Sequence, residues 1–432
     1  MKKIFRFPLK QHIGVAAAPT IVEGDKIVRG QLLASKRENQ LGANIYSSVS
    51  GVVIKITDSE IVIRADEIQA QEYEMLKQDT PIALIEEAGI VGLGGAGFPT
   101  YAKLQKPLPP DGVVIVNAAE CEPVLGHNIA AIIKNPKQLI RGLQITMEVV
   151  KAEKGIIAIK KIHTEAIASL QEVLEDDRIT ISALPNMYPM GEERAILRET
   201  LGVLLGVDSL PGEAHAIVIN AETVCRIQEA VELKKPLIDK NMTVAGKIKG
   251  NRNLIQIFEN VPIGIAVGDM FEKAGGLAEG YGELIMGGPF TGKRTALEDP
   301  VIKTTGGLIA TECFMKGPEK IGLLVCACGA GKERLEEIAE SMESEVVGVE
   351  YCKQAHPVKN GLKCENPGRC PGQVQKVMAL KKVGAQAVLI SNCTDCSNTV
   401  MSCAPKMGLP VYHCTDGALR ATNQKMIRKI HK

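Results

Sequence analysis

Tryptophan is missing from the chain, and aromatic residues make up only 3% of its 432 positions. A surface that stacks nucleic-acid bases needs such rings, so no base platform is expected. An excess of one charge is missing too: 51 Lys and Arg stand against 50 Asp and Glu, a net charge of +1. Without a basic surplus to displace counterions from phosphates, nucleic acid is excluded as a principal partner. No apolar run reaches the roughly 18 residues of a membrane-spanning helix, so no integral membrane segment is expected. The opening residues Met1-Lys2-Lys3-Ile4-Phe5-Arg6 meet charge again at Lys10. They hold no apolar stretch of signal-peptide length, and the expected location is the cytoplasm. Tandem repeats and low-complexity tracts are absent as well.

What is present reads as an ordinary globular composition, 45% hydrophobic and 23% charged, with a length that suggests about three domains. Cysteine stands out. Ten of the twelve cysteines fall between Cys313 and Cys414, and in a reducing compartment such crowding favours metal binding or thiol chemistry over structural disulfides.

The patterning describes an α/β multidomain protein in four parts. Residues 1–78 read as short strands separated by glycine turns. They resemble the barrel-sandwich fold of biotinyl and lipoyl domains. Residues 35–44, where that fold offers a modifiable lysine, hold Lys36 without a Met-Lys-Met setting, so the module reads as structural. Residues 82–245 alternate buried-strand candidates (113–116, 156–159, 216–219) with helix-period stretches (138–150, 164–174, 192–201). That alternation predicts a largely parallel sheet with ligands beyond the carboxyl ends of its strands. Residues 246–305 suggest a small β-grasp module of the kind called SLBB-like. Residues 315–432 form a second, Cys-rich α/β unit. In it, strands at 321–325 and 387–390 run into Cys326-Ala327-Cys328 and Cys393-Thr394-Asp395-Cys396.

The richest segment is Gly92-Leu93-Gly94-Gly95-Ala96-Gly97-Phe98-Pro99-Thr100. Four glycines in six residues bare successive N–H groups, and Pro99 suits the start of a helix through Lys103. Such a loop beside a helix N-terminus cradles an anion. The run also matches G-x-G-x-x-G, but the preceding Ile85-Glu86-Glu87-Ala88-Gly89 is a poor buried strand, which speaks against a Rossmann dinucleotide site. Three more clusters follow: Asn117-Ala118-Ala119-Glu120-Cys121-Glu122-Pro123, then Tyr188-Pro189-Met190-Gly191-Glu192-Glu193-Arg194, then Asn220-Ala221-Glu222-Thr223. One acid at a helix start could be capping; several such clusters in one domain suggest a site.

Together these motifs, over about residues 1–300, resemble the C subunit of Rnf-type electron transport complexes. More distantly they resemble the FMN-bearing, NADH-oxidising subunit of respiratory complex I. The resemblance implies an FMN phosphate on the amides of Gly92, Gly94, Gly95 and Gly97 with Lys103 nearby. It also implies flavin contacts from Asn117 and Asn220, and a flavin and nicotinamide pocket lined by Glu120, Glu122, Gly191, Glu192 and Glu193. Ala119 and Cys121 depart from the complex I pattern, which carries an acid and a glycine there.

Rnf-type C subunits carry C-x2-C-x2-C-x3-C-P runs for two iron–sulfur clusters; this chain has none. Its C-terminal part instead resembles the electron-transfer protein associated with proline reductase, a family with selenoprotein members, although every candidate position here is Cys. Three readings of the thiols stay open. Cys326, Cys328, Cys393 and Cys396 could form a dithiol relay, with Cys393 at a helix start that favours thiolate. Cys352, Cys364, Cys370 and Cys403 could ligate iron–sulfur or another metal. The third reading, small buried apolar residues, suits Cys225 and Cys313. His356 and His413 are further metal candidates, and Arg420, Lys425, Arg428, Lys429 and Lys432 read as a solvated basic face.

The expected function is an NADH-oxidising flavoprotein that uses FMN and NAD(H). It would pass electrons through redox cysteines or an iron–sulfur centre to a reductase partner, D-proline reductase by resemblance. The alternatives are a peripheral subunit of a membrane electron-transport complex and a non-enzymatic metal-binding adaptor.

Overall fold

The computed structural model describes residues 3–250, 253–359 and 361–428. Residues 4–65 form two small antiparallel sheets. One has the order Ile4–Pro8, Glu60–Ala65, Gly51–Ile56, Lys26–Ile27, and the other Ala18–Pro19, Leu32–Ser35, Ile45–Tyr46. The period-two rule explains the first strand: Phe5 and Phe7 share one face and are buried, with Ile61 and Ile63 opposite. That core is continuous with Met242, Val244, Phe271 and Leu308.

The latter residues belong to a five-stranded sheet ordered Ile255–Pro262, Asp239–Gly246, Gly307–Ala310, Leu284–Met286, Lys293–Arg294, with the helix Val267–Lys273. The sheet starts before and ends after the span 246–305 read from sequence. Asp239–Gly246 is buried along almost its whole length, so it lacks the alternation that would separate it from the preceding domain.

Between these units the chain builds a four-stranded sheet in the order Ile179–Leu184, Lys154–Lys160, Val113–Ala118, Ala216–Asn220. Every pairing in it is parallel. The helices Pro136–Val150 and Ala221–Glu232 pack against it through Leu139, Leu143, Val224 and Ile227. The strand order reverses between Val113–Ala118 and Ala216–Asn220, the switch point where open α/β sheets receive ligands. Residues 85–89, a poor strand by sequence, lie largely in the helix Pro81–Glu87.

The Cys-rich part repeats the plan. Its sheet runs Glu345–Tyr351, Lys320–Val325, Ala387–Ile390, Val411–His413, again with parallel pairings only. A cysteine lies just beyond the carboxyl end of each strand: Cys352, Cys326, Cys393 and Cys414. A hairpin of Ala355–Val358 and Gly361–Cys364 stands off this sheet.

The basic tail is not a uniform solvated face. Arg428 forms two hydrogen bonds to the buried Asp416, at 2.5 and 2.9 Å, and Lys429 and Lys432 lie outside the described residues. Among the described residues no helix is long and apolar enough to cross a membrane.

Candidate functional site

The glycine loop lies over the first switch point. Asn117 and Asn220 are register partners at the carboxyl ends of adjacent strands. Each is oriented by backbone: Asn220 Oδ1 caps its helix by accepting from the N–H groups of Glu222 and Thr223, and Asn117 Nδ2 donates to the Gly191 carbonyl at 2.9 Å. The loop approaches so closely that a Cβ on Gly94 would lie 2.3 Å from Asn220 Nδ2, whereas a Cβ on Gly95 would meet no atom within 4 Å. Among the described residues, the N–H groups of Gly94, Gly95 and Ala96 have no acceptor. Open space beside bare donors suits an anion such as a phosphate.

The other two predicted cradle glycines have different tasks. The Gly92 N–H donates to the Phe98 carbonyl at 2.9 Å. Gly97, at φ +74°, packs on Gln11 and His12 and accepts from the Ile13 N–H, pinning the loop to the N-terminal module. Lys103 and Glu193 are brought together as an ion pair of 2.8 Å, and neither lines the cavity. The cation expected near the phosphate is therefore held by its own counter-ion.

A cavity of about 1020 Å³ opens from the loop. Its walls include Gly94, Gly95, Asn117, Glu120, Glu122, Gly191, Glu192 and Asn220. The three acids already have partners. Glu120 accepts from the Asn128 N–H at 2.7 Å. Glu192 caps its helix through the Ala195 N–H at 2.9 Å and pairs with Arg194. Glu122 takes the N–H groups of Phe290 and Thr291 and the Thr291 hydroxyl, although burial still pushes its carboxyl up. Cys121, beside Gly191, is pushed up to about 12 by burial and stays a thiol. Glu222 faces away from the cavity, held by Lys240, Arg226 and the Asn241 N–H.

The opposite wall comes from the Cys-rich part: Ala327, Cys328, Leu362, Cys364 and Pro367. Behind it the thiols converge, and all twelve cysteines are free. Cys326, Cys352, Cys393 and Cys396 share one buried cluster, with Cys328 and Cys370 packed against it, while the Cys364 thiol donates to Gln354 Oε1 at 3.5 Å. Their bonds to neighbouring thiols hold Cys326 and Cys393 well below the ordinary thiol value and push Cys328 and Cys352 above it. A bond from Cys396 holds Cys370 down, to about 6. Thiolate character is thereby concentrated on a few sulfurs of a shared network.

Cys403 is the exception among the predicted cysteines. It sits at the far end of the helix Thr394–Cys403, roughly 15 Å along the axis from Cys393 at 1.5 Å per residue. Its thiol turns back on the Thr399 and Val400 carbonyls, so it does not join the network. His413 is buried and occupied by the Asn392 carbonyl and Thr415, and His356 is exposed beside Glu365. Among the described residues, no three His, Cys, Asp or Glu side chains are set around a single-ion site. The donor set nonetheless suits a polynuclear iron–sulfur centre chemically, being all thiol and receiving N–H bonds from Gln373.

Sequence reasoning passed over the residues that join the halves. Gln373, fully buried, points its Nε2 at Cys352 (3.1 Å), Cys370 (3.4 Å) and Cys396 (3.7 Å). The Tyr188 hydroxyl donates to the Cys328 carbonyl. Its N–H donates to Thr394 Oγ1 at 3.0 Å, and its ring stacks on Phe290 at 3.6 Å. Arg194 donates to the Cys364 carbonyl, and Arg198 to Asn366 and Pro367. The available signal was the tyrosine and two arginines flanking the Gly-Glu-Glu motif.

Residues 85–229 match the Nuo51 FMN-binding domain, and residues 1–71 match the RnfC barrel sandwich hybrid domain. The chain is 33% identical over 329 residues to the C subunit of the proton-translocating ferredoxin:NAD(+) oxidoreductase complex of Clostridium ljungdahlii, an alignment covering 71% of this chain and 70% of that one. It is 30% identical over 336 residues to the C subunit of the Na(+)-translocating ferredoxin:NAD(+) oxidoreductase complex of Acetobacterium woodii, covering 73% and 74%. It is also 34% identical over 255 residues to the cobalamin reductase PduS of Salmonella typhimurium, covering 59% and 52%. On these motifs and this extent of similarity, the chain belongs to the family of the C subunit of Rnf-type ferredoxin:NAD(+) oxidoreductase complexes.

Proposed function

We propose that the protein is an NADH-oxidising flavoprotein that passes electrons through its thiol network to a reductase partner. The observation that carries this reading is the shared cavity, with the bare amides of Gly94 and Gly95 on one wall and Cys328 and Cys364 on the other. When bound, FMN would supply the conversion between hydride and one-electron chemistry. The chain's own part is to hold and orient. Gly94, Gly95 and Ala96 offer N–H donors to the phosphate, Asn220 and Asn117 present amides to the ring, and Glu120 and Glu192 retain acceptor capacity for ribose hydroxyls. Tyr188 and Arg194 hold the thiol wall against the flavin domain.

The onward acceptor is a protein that takes electrons at sulfur, and D-proline reductase is the candidate supported by the sequence resemblance. An iron–sulfur centre within the same thiols is the second form of the carrier, favoured by the Gln373 bonds to three sulfurs. The relatives are named as subunits of ion-translocating complexes, which favours the alternative of a place on a membrane complex, and membrane and soluble fractions of native cells separate these two destinations. Anaerobic titration of the FMN-loaded protein with NADH is expected to bleach the flavin band stoichiometrically. An unbleached band overturns the reading, and iron and sulfide assays on the same sample decide the form of the carrier.

A further inference from the structure

We infer that the outward face of the helix Val374–Lys382 is a docking surface for an acidic redox protein, beside the half-buried Cys370. The inward face of this helix is occupied. Val377 and Leu380 are fully buried, and Lys376 pairs with Glu350 of the edge strand Glu345–Tyr351 at 2.8 Å. The outward face of a surface helix is ordinarily polar. Here it carries Val374 and Met378, about one turn apart and 44% and 55% exposed. Val383, just past the helix, leans on Gly348 of the edge strand, and Tyr351 ends that strand. Both are exposed as well.

The charge around these apolar groups is of one sign. Residues 366–394 hold Arg369, Lys376, Lys381 and Lys382 and no Asp or Glu, and residues 396–415 hold Lys406 and no acid. The whole chain carries a net charge of only +1, so the excess is local. Arg369 and Lys376 reach Glu199 and Glu350. Lys381 instead donates to the Met407 carbonyl at 2.6 Å, which ties the helix end to the turn bearing Lys406 and neutralises neither charge. An apolar centre rimmed by cations is the anatomy of an interface. It selects a partner whose own apolar contact is ringed by carboxylates. Two outward apolar residues are too few for a helix lying in a bilayer surface, which favours a protein over a membrane.

Cys370 gives such a partner a reason to bind here. Its sulfur accepts from the Gly372 N–H at 3.3 Å and from Gln373 Nε2 at 3.4 Å, just before the helix. The same amide reaches Cys352 at 3.1 Å, so the docking face and the thiol cluster share one contact. Cys326, Cys352, Cys393 and Cys396 are buried, whereas Cys370 is not. What passes at this surface rests on the electron-transfer reading proposed above; that an acidic protein binds there does not.

The test titrates the full-length protein with flavodoxin, a small acidic electron carrier whose exposed ring edge is apolar, by biolayer interferometry. Saturable binding is expected at low salt, weakened at least tenfold at about 0.5 M salt. Met378→Asp combined with Lys382→Glu should weaken it at least tenfold at low salt. Val22→Asp combined with Lys26→Glu makes the same charge change on an exposed stretch of the N-terminal module. That variant should alter binding by less than about twofold, and circular dichroism verifies folding of both. Absence of saturable binding, or equal loss in the two variants, overturns the docking surface. Capture of phosphatidylglycerol vesicles in place of flavodoxin, lost only in the helix variant, also overturns it and makes the face a membrane contact. NADH bleaching of the FMN-loaded protein judges the flavin reading separately and should be the same with and without the helix substitutions. Docking without bleaching leaves the surface standing and fails the flavin reading; bleaching without docking fails the surface alone.

Discussion

At the scale of single residues the proposed phosphate cradle turns on two neighbouring glycines with different surroundings. Space beside Gly95 is empty, so Gly95→Ala should fold with its melting temperature nearly unchanged yet place a methyl group where the phosphate is proposed to sit. FMN affinity should fall at least tenfold, about 1.4 kcal/mol. At Gly94 the added carbon would collide with Asn220, so Gly94→Ala should cost roughly 1–3 kcal/mol as overpacking as well as flavin binding. Calorimetric melts and FMN fluorescence titration of both variants check this; wild-type affinity in Gly95→Ala contradicts the cradle. The glycine density was legible in the sequence, but which amides remain free was not. That depends on the Phe98 carbonyl taking the Gly92 N–H within the loop, while another domain fixes the loop through the Ile13 N–H on the Gly97 carbonyl.

At the scale of elements, the helix Glu193–Leu201 and the turn before it are the joint between the flavin sheet and the thiol network. Arg194 is 3% exposed and shared between Glu192 and the Cys364 carbonyl. Arg194→Ala should therefore destabilise the protein by about 2–4 kcal/mol, since it strands buried acceptors. Reduction of bound flavin by NADH should persist while delivery to the thiols slows; loss of both together would place Arg194 in cofactor binding instead. Tyr188→Phe removes one bond, to the Cys328 carbonyl, and should cost about 1–2 kcal/mol. Denaturant unfolding measures both.

Strands and helices of this region were readable, because buried parallel strands and amphipathic helices alternate cleanly in 113–232. The cysteine partners were only half readable. Those at strand ends announce themselves by position, Cys326 after Val325 and Cys393 after Ile390. Cys364 and Cys370 arrive on a hairpin and a loop with no periodicity. Cys403 reads in sequence as a metal-ligand candidate beside the Cys393–Cys396 pair, yet seven residues of helix carry it away from Cys396 and the network.

At the scale of the whole molecule, four units are joined by shared cores and buried polar contacts, and this makes the flavin cradle depend on the N-terminal module. His12 lies behind Gly97, accepts from the Ala43 N–H at 3.1 Å and is lowered to about 4 by burial. The sign follows from linkage: the unfolded chain binds this proton more readily than the native one, so the contribution of His12 is complete above pH 6.5 and is lost as pH falls toward 4. Melts of the N-terminal module should drop over that window, and His12→Asn should flatten the drop; an unchanged slope would assign the acid sensitivity elsewhere.

On the proposed function, bare backbone at Gly94–Ala96 receives the phosphate of a flavin. The most direct measurement compares the affinity of the protein for FMN with that for riboflavin, the same ring system without the phosphate, by fluorescence quenching. FMN is expected to bind at least a hundredfold more tightly, with the difference largely abolished in Gly95→Ala. Equal affinities for the two compounds would contradict it.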